Sequence, residues 1–234
     1  MKQLRKLSGA TLKYIAFLSM FIDHFNKAII SPYLTGSGIL VPISTLFDIL
    51  GRIAFPLFAF FLVEGFFKTR NRGKYLCTLL IFGILSEVPF DMFTCAQFFN
   101  QNTNNVMFSL ALALVTIWII DTLKQKMESI PKIFWYFCSF VIVGIMCLVA
   151  MLLAVDYEEH AILMVYFLYI FRTRPAFSIL FGYLSVYKEP WALLGLGLTL
   201  TYNGERGKQY KWLNYCFYPV HLFLLGVLRM YLGI

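Results

Sequence analysis

The chain has 234 residues, of which 60% are hydrophobic, 18% aromatic and only 14% charged, with a net charge of +8. An ordinary globular chain is about 45–50% apolar and about 25% charged, so the excess here must face lipid, and a water-enclosed core is excluded. The whole chain, 1–234, reads as a single integral membrane domain.

Apolar spans are expected at 12–32, 46–67, 75–93, 105–122, 132–154, 159–171, 175–187, 190–202 and 212–232, against a need for about 17–25 residues each. Backbone groups in lipid must be satisfied within each segment, which favours helices over strands. The fold class is therefore all-α, a polytopic bundle of about eight or nine transmembrane helices, the sixth to eighth spans being short. The first thirty residues resemble a signal peptide in their basic start, Met1-Lys2-Gln3-Leu4-Arg5-Lys6. Asp23 and His24 interrupt the apolar run and no small-residue cleavage pattern follows, so they are read as an uncleaved first span.

Lys and Arg recur at the N-terminus (Lys2, Arg5, Lys6, Lys13), after span two (Lys68, Arg70, Arg72, Lys74), after four (Lys124, Lys126, Lys132), after six (Arg172, Arg174) and after eight (Arg206, Lys208, Lys211). The alternate segments are poor in them, and the one after span five is acidic, at Asp156, Glu158 and Glu159. By the positive-inside rule the N-terminus is cytoplasmic, and nine spans put the C-terminus outside. Orientation accounts for the positive charge, and nucleic acid is not an expected partner. Some of these cations are candidates for the phosphates of a cytoplasmic cosubstrate: Arg72, and Arg206 with Lys208 in Gly204-Glu205-Arg206-Gly207-Lys208. The five cysteines form no close pair and suggest neither zinc nor a disulfide framework. Asn100-Gln101-Asn102-Thr103-Asn104-Asn105 is a polar external loop.

Ionisable groups inside the spans carry the functional information, because a charge near the bilayer centre costs about 2.5–3.5 kcal/mol even on mild insertion scales. Asp23-His24 lies in the first span. Asp48 and Arg52, spaced i,i+4 in the second, suit an intrahelical ion pair. Glu87 and Asp91 share a face of the third around Pro89, and two acids on one face imply a nearby cation or a shared proton. In the last span Pro219 precedes His221, with Tyr218 three residues before it. At ~1.5 Å per residue His24, Glu87 and His221 fall at similar depths, roughly 15–20 Å from the same side, with Arg52 entering from the other. His24 is the candidate base. Adjacent residues do not face each other on a helix, so Glu87 or Asp91 is as plausible an orienting group as Asp23. His160 sits at the acidic external edge of span six and is read as solvated.

Asp23-His24, Gly51-Arg52-Ile53-Ala54-Phe55-Pro56, Phe61-Leu62-Val63-Glu64-Gly65, Thr69-Arg70-Asn71-Arg72 and Ser86-Glu87-Val88-Pro89-Phe90-Asp91 together resemble the TraX family of membrane proteins. Asn105-Val106-Met107-Phe108-Ser109-Leu110 and Phe217-Tyr218-Pro219-Val220-His221-Leu222 extend the resemblance over nearly the whole chain. It implies a multi-pass bacterial cytoplasmic-membrane N-acetyltransferase, acetylating the amino terminus of pilin, within a wider group of acyl-CoA-using membrane acyltransferases. Where the family tends to show Asp-Tyr-Gly, this chain reads Asp156-Tyr157-Glu158-Glu159-His160, which leaves the acceptor open among a pilin, another peptide, a small amine and a sugar.

Joined to that resemblance, the residues give one expectation. His24 takes the acceptor's proton during attack on the thioester of acetyl-CoA, Arg52, Tyr218 or His221 stabilises the oxyanion, and Glu87 or Asp23 orients the base. Direct transfer and an acyl-imidazole on His24 both fit, and no metal is required. The same intramembrane groups would also suit a proton-coupled transporter, although the paired interrupted spans of a repeat-built carrier are not evident. A structural assembly protein is the third reading.

Overall fold

In a computed structural model the described residues are 5–34, 38–100, 102–127, 129 and 131–234. Lys2, with the rest of the basic start through Leu4, and Gln101 of the polar loop lie outside them. The described residues form helices and no strand, with two isolated backbone bridges, Leu7 with Tyr202 and Asn104 with Val155.

The helices are α1 (Gly9–Phe25), α2 (Leu40–Gly51), α3 (Ala54–Lys68), α4 (Arg72–Cys95), α5 (Val106–Lys126), α6 (Lys132–Leu152), α7 (Glu158–Ile170), α8 (Pro175–Leu184), α9 (Ala192–Thr199) and α10 (Lys211–Leu232). Among the described residues five stretches are long and apolar enough to cross a membrane: Leu40–Lys68, Arg72–Cys95, Val106–Lys126, Lys132–Leu152 and Trp212–Leu232. The chain is thus a multi-pass helical membrane protein. The expected segments reappear in order, and the last three before α10 are short, at 13, 10 and 8 residues.

Two segments differ in kind from simple spans. The first begins as α1, whose first turn is capped where the Ser8 hydroxyl accepts the Thr11 N–H at 3.2 Å. Immediately after His24 and Phe25 it widens into a π-turn at Asn26–Ile30 and tightens at Ser31–Tyr33, a local change often found at functional sites. The second is broken at Arg52 and Ile53 into α2 and α3. The Ser19 hydroxyl donates to the carbonyls of Leu50 (2.6 Å) and Gly51 (3.1 Å), satisfying carbonyls that the end of α2 leaves without an intrahelical partner.

The chain divides into two compact units. The first comprises Met1–Phe58, Ile84–Gln101 and Tyr187–Ile234. In it α1 packs on α2 and on α10, and α10 lies so close to the end of α4 that a Cβ on Gly226 would stand 2.6 Å from Met92 Cβ. Helices in lipid associate chiefly by van der Waals packing, which small residues make possible. Gly226→Val should therefore lower stability by about 1–3 kcal/mol, read from denaturant unfolding of the purified protein in detergent. Arg229, one turn further along α10, donates to the carbonyls of Phe93 (2.6 Å) and Thr94 (2.7 Å). That places a cation on the carbonyl-rich end of α4, where the helix dipole favours it.

The segment before α10 is strapped over the start of α1. Gly9 and Ala10 donate their N–H groups to the carbonyls of Glu205 (2.8 Å) and Arg206 (2.9 Å). Gly207, at φ +70°, passes so near Ser8 that any Cβ would meet its hydroxyl. Conformation and space thus both require glycine there.

The second unit comprises Ala59–Gly83 and Asn102–Val186. Here α5, α6, α7 and α8 pack together. The Trp135 indole N–H bonds the Ile120 carbonyl at 3.2 Å, and buried Asn105 bonds the Gly83 carbonyl at 2.8 Å while its side-chain oxygen caps α5. α6 buries Trp135, Ser139, Val143 and Ala150 on one face and exposes Phe137, Phe140 (75%), Leu148 and Leu152 (85%) on the rest. So wide an apolar exposure is a lipid face. Two carboxylates organise this unit. Glu64 meets Arg172 (2.8 Å) and Lys68 (3.1 Å); Asp121 meets Arg72 (2.9 Å) and the Tyr169 hydroxyl (3.0 Å).

Candidate functional site

α1 and α10 bring their histidines together. His24 Nδ1 lies 2.7 Å from His221 Nε2, and the two imidazoles are within 3° of parallel with centroids 5.0 Å apart. With the nitrogens this close, that separation means rings meeting edge to edge in one plane. His221 Nδ1 lies 2.6 Å from the Phe217 carbonyl one turn earlier on α10. Carbonyl, His221 and His24 thus form a line of hydrogen-bonding groups.

The surroundings are aromatic. The Phe217 ring stacks on His221 at 4.8 Å and on Phe17 at 4.6 Å, Phe21 approaches His221 at 6.4 Å, and Phe93 lies 4.8 Å from His24. Tyr218 stands edge-on to both imidazoles, 6.5 Å from His24 and 5.8 Å from His221. His221 is buried and His24 half-buried. Polar interactions in so apolar a box are stronger than in water.

Two of the expected orienting acids, Asp23 and Asp91, meet other groups. Asp23, buried, accepts from Lys27 at 2.7 Å, four residues on, and packs against Gly51, where an added Cβ would lie 2.5 Å from its own Cβ. Gly51→Ala should therefore displace Asp23 from Lys27 and cost about 1–3 kcal/mol, visible as earlier unfolding in detergent. Asp91 accepts the Asn100 N–H at 2.8 Å. Glu87 is half-buried on α4, four residues before Asp91. The nitrogen partner of His24 is thus an imidazole rather than a carboxylate. The reason is geometric: the α1–α10 contact presents His221 to the His24 edge, while Asp23 points toward the α2 end.

The expected Asp48–Arg52 pair also finds partners on other elements. Arg52 Nε meets Glu189 at 2.9 Å, and Asp48 accepts from Asn26 at 2.9 Å. The turn between them is helical, with the Arg52 N–H bonding the Asp48 carbonyl at 3.2 Å, so it is the partners on other elements, not loss of the turn, that separate the two side chains. Of the candidates for phosphate contact, Arg72 is engaged by Asp121 and lies over the Phe66 ring at 3.9 Å. Arg206 and Lys208 are exposed on the strap over α1. His160, expected to be solvated, has Nδ1 2.6 Å from the Ser185 carbonyl.

Lys27, Asn26, Phe93, Asp121, Glu189 and Arg229 also hold partners that sequence pattern does not announce. Only Lys27 carried a local signal, its i,i+4 spacing from Asp23. Asp23 Oδ1, Asn26 Oδ1 and Asp91 Oδ1 are buried acceptors with no hydrogen-bond partner among the described residues. Among those residues no cluster of three or more His, Cys, Asp or Glu side chains is arranged to hold a metal.

Fold and site together define a multi-pass helical membrane protein with an imidazole pair enclosed among aromatic rings. The chain belongs to the TraX family: the family model described as TraX protein matches residues 8–229. It is similar to a protein of Dichelobacter nodosus named probable fimbrial assembly protein FimC, serogroup H1, at 32% identity over 246 residues, covering 96% of this chain and 97% of that protein. No solved structure matches.

Proposed function

We propose that this protein is a membrane-embedded N-acetyltransferase, a single domain moving an acetyl group from acetyl-CoA to an amine acceptor such as a pilin amino terminus. The observation that carries the reading is the His24–His221 pair, a base held in a water-poor aromatic box on two helices. His24 takes a proton from the acceptor amine as its nitrogen attacks the thioester carbonyl. Collapse of the tetrahedral intermediate breaks the C–S bond, and the proton passes from His24 to the departing CoA sulfur, leaving an amide and free CoA. Of the groups expected to stabilise the oxyanion, Tyr218 and His221 lie beside His24, while Arg52 is engaged by Glu189.

Family membership and the fimbrial name of the relative support a pilin-related acceptor. For the cosubstrate, exposed Arg206 and Lys208 would meet phosphates on the cytoplasmic side. Ala10, bonded to the Arg206 carbonyl, precedes His24 by fourteen residues, about 21 Å along a helix, of the order an extended phosphopantetheine arm spans. The charge asymmetry of the loops supports a bacterial inner-membrane location with a cytoplasmic N-terminus and eight or nine crossings.

The test is incubation of the purified protein in detergent with labelled acetyl-CoA and a pilin amino-terminal peptide, a simple primary amine or an amino sugar. Transfer of label to an amine is the expected result. Absence of both transfer and hydrolysis across these acceptors overturns the reading, and proton-coupled uptake into liposomes would establish a carrier in its place.

A further inference from the structure

We infer that His221 is a positioning residue that sets the tautomer of His24, leaving Nε2 of His24 as the atom that receives a proton. The Phe217 carbonyl can only accept, so His221 Nδ1, 2.6 Å away, carries a hydrogen. In a neutral ring that leaves a lone pair on His221 Nε2. The contact between His221 Nε2 and His24 Nδ1, at 2.7 Å, has room for one hydrogen, which His24 Nδ1 must supply. A lone pair on the remaining nitrogen, Nε2 of His24, follows directly. The alternative direction requires His221 to hold two hydrogens and a positive charge between the rings of Phe217, Phe21 and Tyr218, where a buried unpaired charge is costly. The neighbouring carboxylate of Asp23 is already engaged by Lys27.

The 3° angle between the rings bears on function as well as on proton placement. An imidazole lone pair lies in the ring plane, so coplanar rings are the arrangement in which the N–H of one points along the lone pair of the other. When His24 gains a proton at Nε2, its Nδ1–H becomes a stronger donor to His221. The shared hydrogen can then move toward His221 Nε2, spreading the charge over both rings, with His221 Nδ1–H anchored on the Phe217 carbonyl. No carboxylate is needed for the base to be oriented. This use of His221, as acceptor for His24 rather than as donor to an oxyanion, rests on the acetyltransferase reading only for its kinetic consequence. The tautomer itself is a property of the resting protein.

The test has a spectroscopic and a kinetic arm. Nitrogen-15 NMR of the histidine-labelled full chain in detergent resolves the ring nitrogens of its three histidines, assigned by substituting each in turn. His24 is expected as the neutral Nδ1–H form in the wild type and in His221→Gln, whose side-chain oxygen can still accept. In His221→Ala the Nε2–H form should appear. In acetyl-transfer assays His221→Ala is expected to lose kcat on the order of 10²-fold with KM for acetyl-CoA little changed, and His221→Gln to recover much of the loss. An Nε2–H signal for His24 in the wild type overturns the inference, as does an unchanged tautomer and kcat in His221→Ala. If His221→Ala does not fold, the wild-type and His221→Gln spectra decide. Lack of turnover in every protein would refute the acetyltransferase reading while the spectra still judged the tautomer.

Discussion

His24→Ala should lower acetyl transfer by on the order of 10²–10⁴-fold, the range associated with loss of a general base, while the protein still purifies as a folded helical species. The amine must lose a proton as its nitrogen becomes bonded to the acyl carbon, and the His24 imidazole, joined to that of His221 among aromatic rings, is placed to take it. His24→Asn is the sharper variant. Its amide keeps a donor directed toward His221 and much of the packing against Phe93, but has no basic nitrogen, so it should be as inactive as alanine. Residual transfer in either variant would come from holding acceptor and thioester together. Label transfer from acetyl-CoA, with helical content and gel-filtration behaviour measured alongside, checks both points. Wild-type turnover by either variant would remove His24 from the chemistry.

Asp121→Ala should be among the most damaging single changes to stability in the unit formed by Ala59–Gly83 and Asn102–Val186, costing about 2–4 kcal/mol. The carboxylate accepts from Arg72 at 2.9 Å, from the Tyr169 hydroxyl at 3.0 Å and from Gln125 at 3.2 Å. Removing it leaves a guanidinium and a phenol without their acceptor. The Arg72 side chain retains 27% exposure, so part of the Coulombic loss is screened, which holds the figure below that of a fully buried pair. The double variant Arg72→Met with Asp121→Leu should recover much of the loss, because apolar replacement of both partners removes the stranded charge. Denaturant midpoints of the two single variants and the double variant in detergent measure the coupling. If the double variant is no more stable than Asp121→Ala, the ion pair is not what the unit depends on.

The histidines show how far local pattern reaches. His24 stands eleven residues past Lys13 and His221 ten past Lys211, so their common depth follows from helical rise alone, and the structure joins them. Their mutual contact did not follow, because depth says nothing of how each helix is rotated about its axis. Glu87 illustrates the gap: it was read at a similar depth, yet His24 bonds His221. Asp48 and Arg52 show a second limit. Spacing i,i+4 permits a pair without compelling it: the Arg52 N–H still bonds the Asp48 carbonyl at 3.2 Å, yet the Arg52 side chain meets Glu189 and the Asp48 carboxylate accepts from Asn26.

Charges at the helix ends behaved likewise. Arg72 was legible as a cation at the edge of a span, but its engagement with Asp121, forty-nine residues away, was not. Arg229 closing the end of α4 was missed for the same reason. The strap from Glu205 to Gly207 over the start of α1 is bound by backbone groups, which no side-chain pattern announces.

By itself, the sequence determined that the chain is helical and membrane-crossing, where its apolar segments lie, and which few ionisable groups they bury. These properties depend on composition and on neighbours a turn or two away. Only the tertiary structure decided that His24 meets His221, that Asp23 is engaged by Lys27 against Gly51, and that Arg52 and Arg72 are held by Glu189 and Asp121. Such pairings depend on the rotation, tilt and breaks of helices distant in sequence, settled by the packing of small residues and aromatic rings where they touch.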